Sequence, residues 1–234
     1  MRGPEANCPL CPRLADYRTA NRAAYPDWFN APVPCFGPQD ARLAIVGLAP
    51  GLRGANRTGR PFTGDYAGVL LFETLVKFGL AAGEYEASPD DGLQLRDCRI
   101  VNSVRCVPPA NLPTPNEIST CNRFLREELA AMPRLQALFA LGVVAHGAAL
   151  RTKGIPLSRL QFAHGVIHTL PDGLLLADSY HVSRYNTNTG RLTKEMFESA
   201  LGGLLDRLNA RGNHSSNLRD LSTRSTNARN PASL

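Results

Sequence analysis

The 234-residue chain is predicted to be an α/β protein with three layers, in which helices cover both faces of a central parallel sheet. Two observations carry this prediction. Short apolar runs alternate with helical patterns along the chain, as in strand–helix–strand units. The first of these runs, at residues 43–46, is continuously apolar and is followed by a Gly- and Pro-containing turn, which is typical of a strand buried on both faces. The length suits one domain, which we place at residues 1–210.

The predicted elements follow in order. Residues 13–24 are predicted to form a helix, and residues 28–36, rich in Pro and aromatic residues, an extended arm lying on the domain. The four predicted core strands are residues 42–50, 98–106, 135–141 and 173–178. The main predicted helices are residues 66–79, 116–132, 143–153 and 194–208. Thr114 followed by Glu117 has the spacing of a capping box at the start of the second of these helices.

The remaining segments are predicted to be irregular. Loops are expected at residues 82–92, 107–115 and 180–193, and a hairpin arm at residues 162–170. Residues 211–234 are rich in Asn, Ser, Arg and Thr. Because such a segment has too few apolar side chains to bury, this tail is predicted to be disordered.

Residues 42–65 are predicted to present a ligand-binding loop. Their first part is an apolar strand that ends in a Gly-rich turn at residues 47–51, and a long loop with Gly, Arg, Asn and Phe62 then leads to Asp65 at the head of a helix. Ligands of open α/β sheets bind at this edge, and such a loop suits a phosphate-bearing or nucleobase ligand. An ordinary strand-to-helix connection is the alternative, although connections of this length usually have a purpose.

Composition restricts the partners and the compartment. The net charge is +6 and the pI is about 9.2, which favours an anionic partner, nucleic acid before membrane. No apolar run approaches the roughly 20 residues that span a bilayer, and the N-terminus lacks the apolar core of a signal peptide. We therefore expect a cytoplasmic protein without a membrane partner. Cysteines stay reduced there, so the six in this chain suggest a metal or cluster rather than disulfides.

The cysteines fall into two groups. Cys8 and Cys11 form a CxxC pair, and Cys106 and Cys121 form a second pair, with one member after a strand and one on a helix. Four thiolates at such spacing suit an iron–sulfur cluster or a Cys₄ zinc site, and unrelated reduced thiols are the alternative. If a cluster is bound, it ties the N-terminal arm to the loop after the second strand. The other two, Cys35 and Cys98, are expected to be free thiols without a ligand.

The loop after the last core strand, residues 179–191, combines His181 with hydroxyl and amide side chains, tyrosines and two arginines. Amides and His read base edges, and Arg and Ser hold phosphates. Local hydrogen bonding by His181 is the alternative. We expect Tyr180 and Tyr185 to be packing residues, and His146, His164 and His168 to be structural.

In this order, the motifs of the chain resemble those of the uracil-DNA glycosylase superfamily, most closely its family 5, over residues 7–208. The carrying motifs are Cys8-x-x-Cys11, GLAPG at 47–51, TGRPFTGD at 58–65, VNSVRCVPP at 101–109, Cys121, and SYHVS to NTNTGRLT within 179–193. Leu48 stands where the sister family 4 has a glutamate, and this difference fits family 5.

The resemblance implies a four-stranded parallel sheet and a structural [4Fe–4S] cluster, mapped to Cys8, Cys11, Cys106 and Cys121. No nucleotide cofactor is implied. It also implies excision of uracil, and of other deaminated bases such as hypoxanthine, from single- or double-stranded DNA. We expect a monomer to do this.

The resemblance also implies roles for individual residues. The predicted catalytic residues are His181, Asp65 and Asn186; the predicted base-binding residues are Gly47, Leu48, Ala49, Phe62 and Asn102; and the predicted DNA contacts are Ser183, Arg184 and Arg191. Phe62 is expected to stack on a flipped base whose Watson–Crick edge Asn102 reads. His181 is expected to stabilise the departing base anion. Asp65 or Asn186 is expected to orient water, although Asp65 also fits a helix N-cap.

Parts of the sequence also fit two other functions. The first is a damage-binding protein without turnover, which the Leu in GLAPG favours because it removes a water-activating side chain. The second is a flavodoxin-like nucleotide-binding protein that uses the same Gly-rich loop. The cysteine pairs, Phe62 and the loop at 179–191 do not support the second.

Overall fold

The computed structural model describes residues 3–226, with the side chains of residues 3–211. The strands are β1 (Leu43–Gly47), β2 (Ala81–Ala82), β3 (Gln94–Leu95), β4 (Cys98–Asn102), β5 (Ala137–Leu141), β6 (Ile167–Thr169) and β7 (Leu175–Ser179). The helices are α1 (Pro12–Ala24), α2 (Ala55–Thr58), α3 (Tyr66–Lys77), α4 (Pro115–Ala130), α5 (Val143–Thr152), α6 (Arg184–Asn188) and α7 (Lys194–Thr226).

The main sheet has five strands in the order β4-β1-β5-β7-β6. The first four are parallel, which confirms the predicted parallel sheet. The fifth, β6, comes from the predicted hairpin arm and pairs antiparallel with β7 at the edge. On the opposite edge, the N-terminal arm pairs with β4 through a single bridge between Phe36 and Ile100. The arm therefore lies on the domain as the sequence predicts.

The burial of the strands explains the three layers. Every residue of β1, β5 and β7 is buried, so neighbouring side chains must enter opposite cores. Leu43 and Ile45 enter the core covered by α3 and α7. Ala44 and Val46 enter the core covered by α4 and α5. Helix α4 begins with the predicted capping box, in which the Thr114 side chain accepts from the Glu117 backbone and the Glu117 carboxylate accepts from the Thr114 backbone.

Several boundaries differ from the prediction. Strand β4 ends at Asn102, so Asn102 lies at the carboxyl edge of the sheet rather than inside a longer strand. The expected acidic loop is flanked by the small β2–β3 hairpin. The prediction that the closing helix ends at Leu208 is wrong, because α7 continues to Thr226 through part of the expected tail. Residues 227–234 of that tail lie outside the described residues. No helix among residues 3–226 is long and apolar enough to span a bilayer.

Candidate active site and cysteine cavity

A cavity of about 520 Å³ lies at the carboxyl end of the sheet. Segments that follow β1, β4 and β7 contribute its walls, as expected for parallel strands whose ends meet at one edge. Eight of the residues predicted for binding or catalysis line it: Leu48, Ala49, Phe62, Asp65, Asn102, His181, Ser183 and Arg184. The fold therefore brings together most of a site whose members are spread over more than 130 residues of sequence.

Asn102 supplies an unpaired polar atom at this cavity. Asn102 is only 3% exposed. Its side-chain Oδ1 has no hydrogen-bond partner within the described protein. A Cβ on Gly47, its partner in the β1–β4 register, would collide with this Oδ1 and with the ring of Phe62. A buried carbonyl oxygen left without a donor costs about 1–3 kcal/mol. The atom is therefore suited to accept a hydrogen bond from a ligand N–H.

Phe62 is held in an uncommon backbone conformation beside Asn102. Its φ is 53°, in the left-handed region that bulky side chains rarely adopt. The Tyr85 hydroxyl donates to the Phe62 carbonyl at 3.0 Å, and the helix approaches that carbonyl at Gly68, where a Cβ would collide. These contacts turn the ring toward the cavity, with its centroid 6.2 Å from that of His181. Such strain, of order 1–3 kcal/mol, is concentrated at binding sites.

His181 is desolvated without a polar partner. No described side chain or backbone group is hydrogen-bonded to its ring, and burial lowers its pKa to about 4. The imidazole is therefore neutral at pH 7, with one nitrogen as a donor and the other as an acceptor. The His181 backbone is fixed by Asn186, whose Nδ2 donates to the His181 carbonyl at 2.8 Å.

Asp65 both caps a helix and faces the cavity. Its Oδ1 accepts from the backbone N–H of Ala67 at 3.1 Å at the start of α3, which confirms the N-cap. Its other oxygen lies against Gly51 and Gly54, where a Cβ at either position would collide with it. Burial raises the pKa of Asp65, although the backbone N–H groups at the start of α3 oppose this. The two readings of Asp65 are thus compatible.

The rim of the cavity carries exposed aromatic and basic side chains. The Arg184 guanidinium lies 5.3 Å from the centroid of the Tyr66 ring, and Tyr185 beside it is 72% exposed. The expectation that Tyr185 is a packing residue is wrong. Sequence reasoning also missed Tyr66 and Asn111, which line the cavity. The position of Tyr66 next to Asp65, at the head of a helix, was the available signal.

Asn186 and Arg191 lie on the other side of His181. They line a neighbouring cavity of about 250 Å³ rather than the first one. The Arg191 guanidinium lies 4.9 Å from the centroid of Tyr180, whose ring stacks on His164. Tyr180 is therefore a packing residue, as expected. Gly47 lines neither cavity. Because it has no side chain, it leaves room for the Asn102 amide and the Phe62 ring.

The four cysteines of the two predicted pairs line one narrow cavity between α1, α4 and the segment after β4, with Leu14, Val104 and Phe124 among its walls. Burial raises the pKa of Cys106 to about 11 and of Cys121 to about 12. Thiolate ligands at these positions therefore need a cationic centre to offset desolvation. Cys98 is buried elsewhere and donates to the Leu80 carbonyl, and Cys35 is also outside the cavity.

The cavity supplies four cysteine sulfurs as ligands, the donor set shared by iron–sulfur clusters and Cys₄ zinc sites.

A second polar cluster lies behind the site. His146 Nδ1 is 2.8 Å from Asp178 Oδ1, and its Nε2 is 2.9 Å from the Leu160 carbonyl. Both ring nitrogens face acceptors, so the ring is best satisfied as an imidazolium. Burial lowers its pKa, but the bonds to Asp178 and Leu160 outweigh this and raise the pKa above its usual value. His168 approaches the same carboxylate, and the trio is close enough to reach one cation. Because both ring nitrogens of His146 already have hydrogen-bond partners, we interpret His146, His168 and Asp178 as a hydrogen-bonded network rather than a metal site.

Comparison with known proteins gives a consistent result. The family model described as "Uracil DNA glycosylase superfamily" matches residues 34–205. A type-5 uracil-DNA glycosylase of Thermus thermophilus is 45% identical over 200 residues, covering 83% of this chain and 90% of the relative. That of Pyrobaculum aerophilum is 42% identical over 199 residues, covering 83% and 86%. A type-4 uracil-DNA glycosylase of Thermotoga maritima is 36% identical over 110 residues, covering 47% and 49%.

Proposed function

The chain belongs to the uracil DNA glycosylase superfamily, and on this premise we propose how it hydrolyses the N-glycosidic bond of uracil in DNA and which other bases it accepts. It is an enzyme of the uracil-DNA glycosylase type, a hydrolase of N-glycosyl bonds. Its relatives support uracil excision in DNA repair. The observation that carries the residue assignments is the unpaired, buried Oδ1 of Asn102, which shares one cavity with Phe62 and a neutral His181.

Base recognition is the first step. A base inside a duplex cannot be reached, so the target nucleotide must rotate out of the stack into the cavity. Phe62 then stacks on the flipped base, and Asn102 Oδ1 accepts from uracil N3–H while its Nδ2 donates to O4. Hypoxanthine presents the same N–H beside a C=O, at N1 and O6. Since Asn102 reads only this shared pattern, we propose that hypoxanthine and similar deaminated bases are also substrates.

Bond cleavage follows from the charges that develop. The electron pair of the N-glycosidic bond leaves with the base, which becomes anionic, and the sugar becomes oxocarbenium-like. The N–H of neutral His181 donates to the base oxygen that gains charge, as a preorganised donor in a desolvated site. The Asp65 carboxylate faces the same cavity, where it stabilises the cationic sugar and orients the water that attacks C1′. The water proton passes to Asp65 as the O–C1′ bond of the abasic site forms. Asp65 then releases this proton to solvent and the base anion takes one up from solvent, which gives the free base.

Outside the cavity, the proposal assigns roles to the surrounding residues. Leu48 and Ala49 form the apolar wall against the base, with Gly47 leaving space behind it. Ser183 and Arg184 at the rim, and Arg191 beyond it, contact DNA phosphates. Asn186 is retained as a candidate for water or base contacts, supported only by its position next to His181. We propose a monomer that acts on single- or double-stranded DNA in the cytoplasm.

For the cysteine cavity we propose a [4Fe–4S] cluster held by Cys8, Cys11, Cys106 and Cys121. The four sulfur donors and the apolar walls of the cavity, together with the family to which the chain belongs, support this. When bound, the cluster supplies a covalent link rather than chemistry on the base. It ties the N-terminal arm to the segment after β4 and to α4, which lie beside the base cavity.

The cofactor has its own test. Cys106→Ala should lose visible iron–sulfur absorbance, iron and acid-labile sulfide together, and should unfold at a lower temperature. Cys35→Ala is the matched control, because its thiol is outside the cavity, and it should keep all three. A colourless Cys106→Ala protein with wild-type stability and activity would contradict the assignment.

The function is tested by single-turnover incubation with duplex oligonucleotides that carry one uracil, one hypoxanthine or only normal bases, followed by alkaline cleavage of abasic sites. Strand cleavage at uracil and at hypoxanthine is expected, with none in the control duplex. Asn102→Ala should lose both activities together, because one amide reads both bases. If uracil is excised but hypoxanthine is not, the proposed breadth is wrong. Tight lesion binding without cleavage would indicate a damage-binding protein instead.

A further inference from the structure

Arg18, in the middle of α1, reaches the cysteine cavity although no cysteine motif includes it. It is 4% exposed. Its Nη1 donates to Cys106 Sγ at 3.5 Å, and its Nη2 donates to the Cys8 carbonyl at 3.0 Å. Its Nε has no hydrogen-bond partner within the described protein. The guanidinium therefore spans the two cysteine pairs from one side.

This cation has no carboxylate partner among residues 3–211. Glu117 is a buried acid beside this cavity, and both of its carboxylate oxygens are bound by Arg13 at 2.7 Å. A guanidinium cannot release its proton to escape burial. Burying a charge without a counter-charge costs several kcal/mol. A negatively charged group in the cavity must therefore offset the guanidinium charge. The Cys106 sulfur, to which Arg18 donates, is the candidate for that group.

We propose that Arg18 is the counter-ion of the thiolate-bound centre and that its charge sets how strongly the protein retains this centre and how easily it is reduced. The inference rests on the proposed cluster. Four thiolates around an iron–sulfur core leave a net negative charge, which a buried guanidinium beside Cys106 offsets. The backbone N–H of Arg105 donates to Cys121 Sγ at 3.4 Å, so a neutral donor serves the other side. Net charge and hydrogen bonds to sulfur are the factors that set cluster potentials.

The chain offers a matched control one turn along the same helix. Arg22 also binds the N-terminal arm, with bonds to Asn7 Oδ1 at 2.7 Å and to the Ala6 carbonyl at 2.9 Å. Its hydrogen bonds go to oxygen atoms only. Neutralising Arg22 thus removes arm contacts without removing charge from the sulfurs.

The experiment compares Arg18→Met, Arg18→Gln, Arg18→Lys and Arg22→Met in the full chain without DNA. Two readouts are used: the potential for one-electron reduction of the bound cluster at an electrode, and the rate of iron release to a chelator. The neutral Arg18 variants should shift the potential to more negative values, because added negative charge is no longer offset. They should also release iron roughly tenfold faster, as outer-shell partners commonly change metal affinity by this amount. Arg18→Lys and Arg22→Met should stay near wild type.

Each outcome decides the matter. Neutral variants that match wild type in both readouts would overturn the proposal, and so would an Arg18→Lys variant that behaves like the neutral ones. If the neutral variants do not retain iron at all while Arg18→Lys and Arg22→Met do, the charge requirement is supported. Iron and acid-labile sulfide in the wild-type protein test the cluster itself. A wild type that binds zinc would refute the cluster, whereas a failure of Arg18 alone leaves the cluster in place.

Discussion

His146 is buried and His181 is partly buried near the carboxyl end of β7, and their surroundings shift their pKa values in opposite directions. His181 has no polar partner for its ring, and burial lowers its pKa to about 4. His146 faces Asp178 and a carbonyl, and its pKa is raised despite burial. Desolvation without a partner keeps His181 a neutral donor that suits chemistry, whereas hydrogen bonds to a carboxylate and a carbonyl favour the protonated form of His146, which suits the fold.

Both histidines lie against Gly142, the residue that precedes α5. The backbone N–H of His146 donates to the Gly142 carbonyl. Gly142 has a φ of 99°, and a Cβ there would lie 3.4 Å from the Cβ of His181. His146, which we interpret as structural, thus holds Gly142 in place, and Gly142 packs against His181, the proposed catalytic residue. Four predictions test whether this division holds.

The largest effect is expected on stability. His146→Leu leaves the fully buried Asp178 carboxylate without its cation, and removing one partner of a buried pair typically costs about 3–5 kcal/mol. His181→Leu removes a desolvated ring without a partner and should not lower the free energy of unfolding. Urea unfolding of both variants measures the difference. Equal losses in the free energy of unfolding for the two variants would show that His146 is no more important for stability than His181.

The second prediction concerns catalysis. His181→Ala should slow single-turnover uracil excision roughly 10²- to 10³-fold, the usual effect of losing one preorganised donor to a developing anion. DNA affinity should change little, because the donor acts mainly in the transition state. Rapid-quench rates and a separate binding titration distinguish the two. An unchanged rate would remove His181 from the mechanism.

The third prediction uses pH. His181 has a folded pKa of about 4 against 6.5 when unfolded, so the unfolded chain takes up its proton first. Stability should therefore fall as pH drops from about 6.5 to 4, by on the order of 3 kcal/mol for this residue. His146 has a raised folded pKa, so its contribution is complete below the unfolded pKa and is lost as pH rises through the folded pKa.

The measurement is the difference between the wild-type and His181→Leu stability profiles, because subtraction removes the contribution of Asp65 and other groups. The difference should be confined to acid pH. The corresponding profile for His146→Leu should instead change on the alkaline side. Two profiles with the same sign would show that the two histidines are not in opposite states.

The smallest effect is expected for Asn186→Ala. Its amide holds the His181 carbonyl, and a neutral hydrogen bond contributes about 0.5–1.5 kcal/mol. If Asn186 only positions His181, the excision rate should fall roughly threefold to tenfold. A loss comparable to that of His181→Ala would instead indicate direct contact with water or base.

Much of the fold followed from local pattern. The buried strands, the capping box at Thr114 and Glu117 and the helix N-cap at Asp65 depend on residues a few positions apart. The exposure of Tyr185 and the C-terminal end of α7 did not follow, since they depend on which surfaces other segments cover. Short elements such as α2 and α6 carry too few residues for a helical period to be visible.

The sequence by itself determined the order of the core strands and the main helices, the family motifs and the set of residue types at the site. Only the tertiary structure decided what each of those residues faces. It joined Cys8 and Cys11 to Cys106 and Cys121 around one cavity, and it turned Asn186 away from the base cavity. It also separated His146 from His181, since a pKa depends on partners and burial supplied by distant segments. Local composition records a side chain's chemistry, but the atoms around it come from the whole fold.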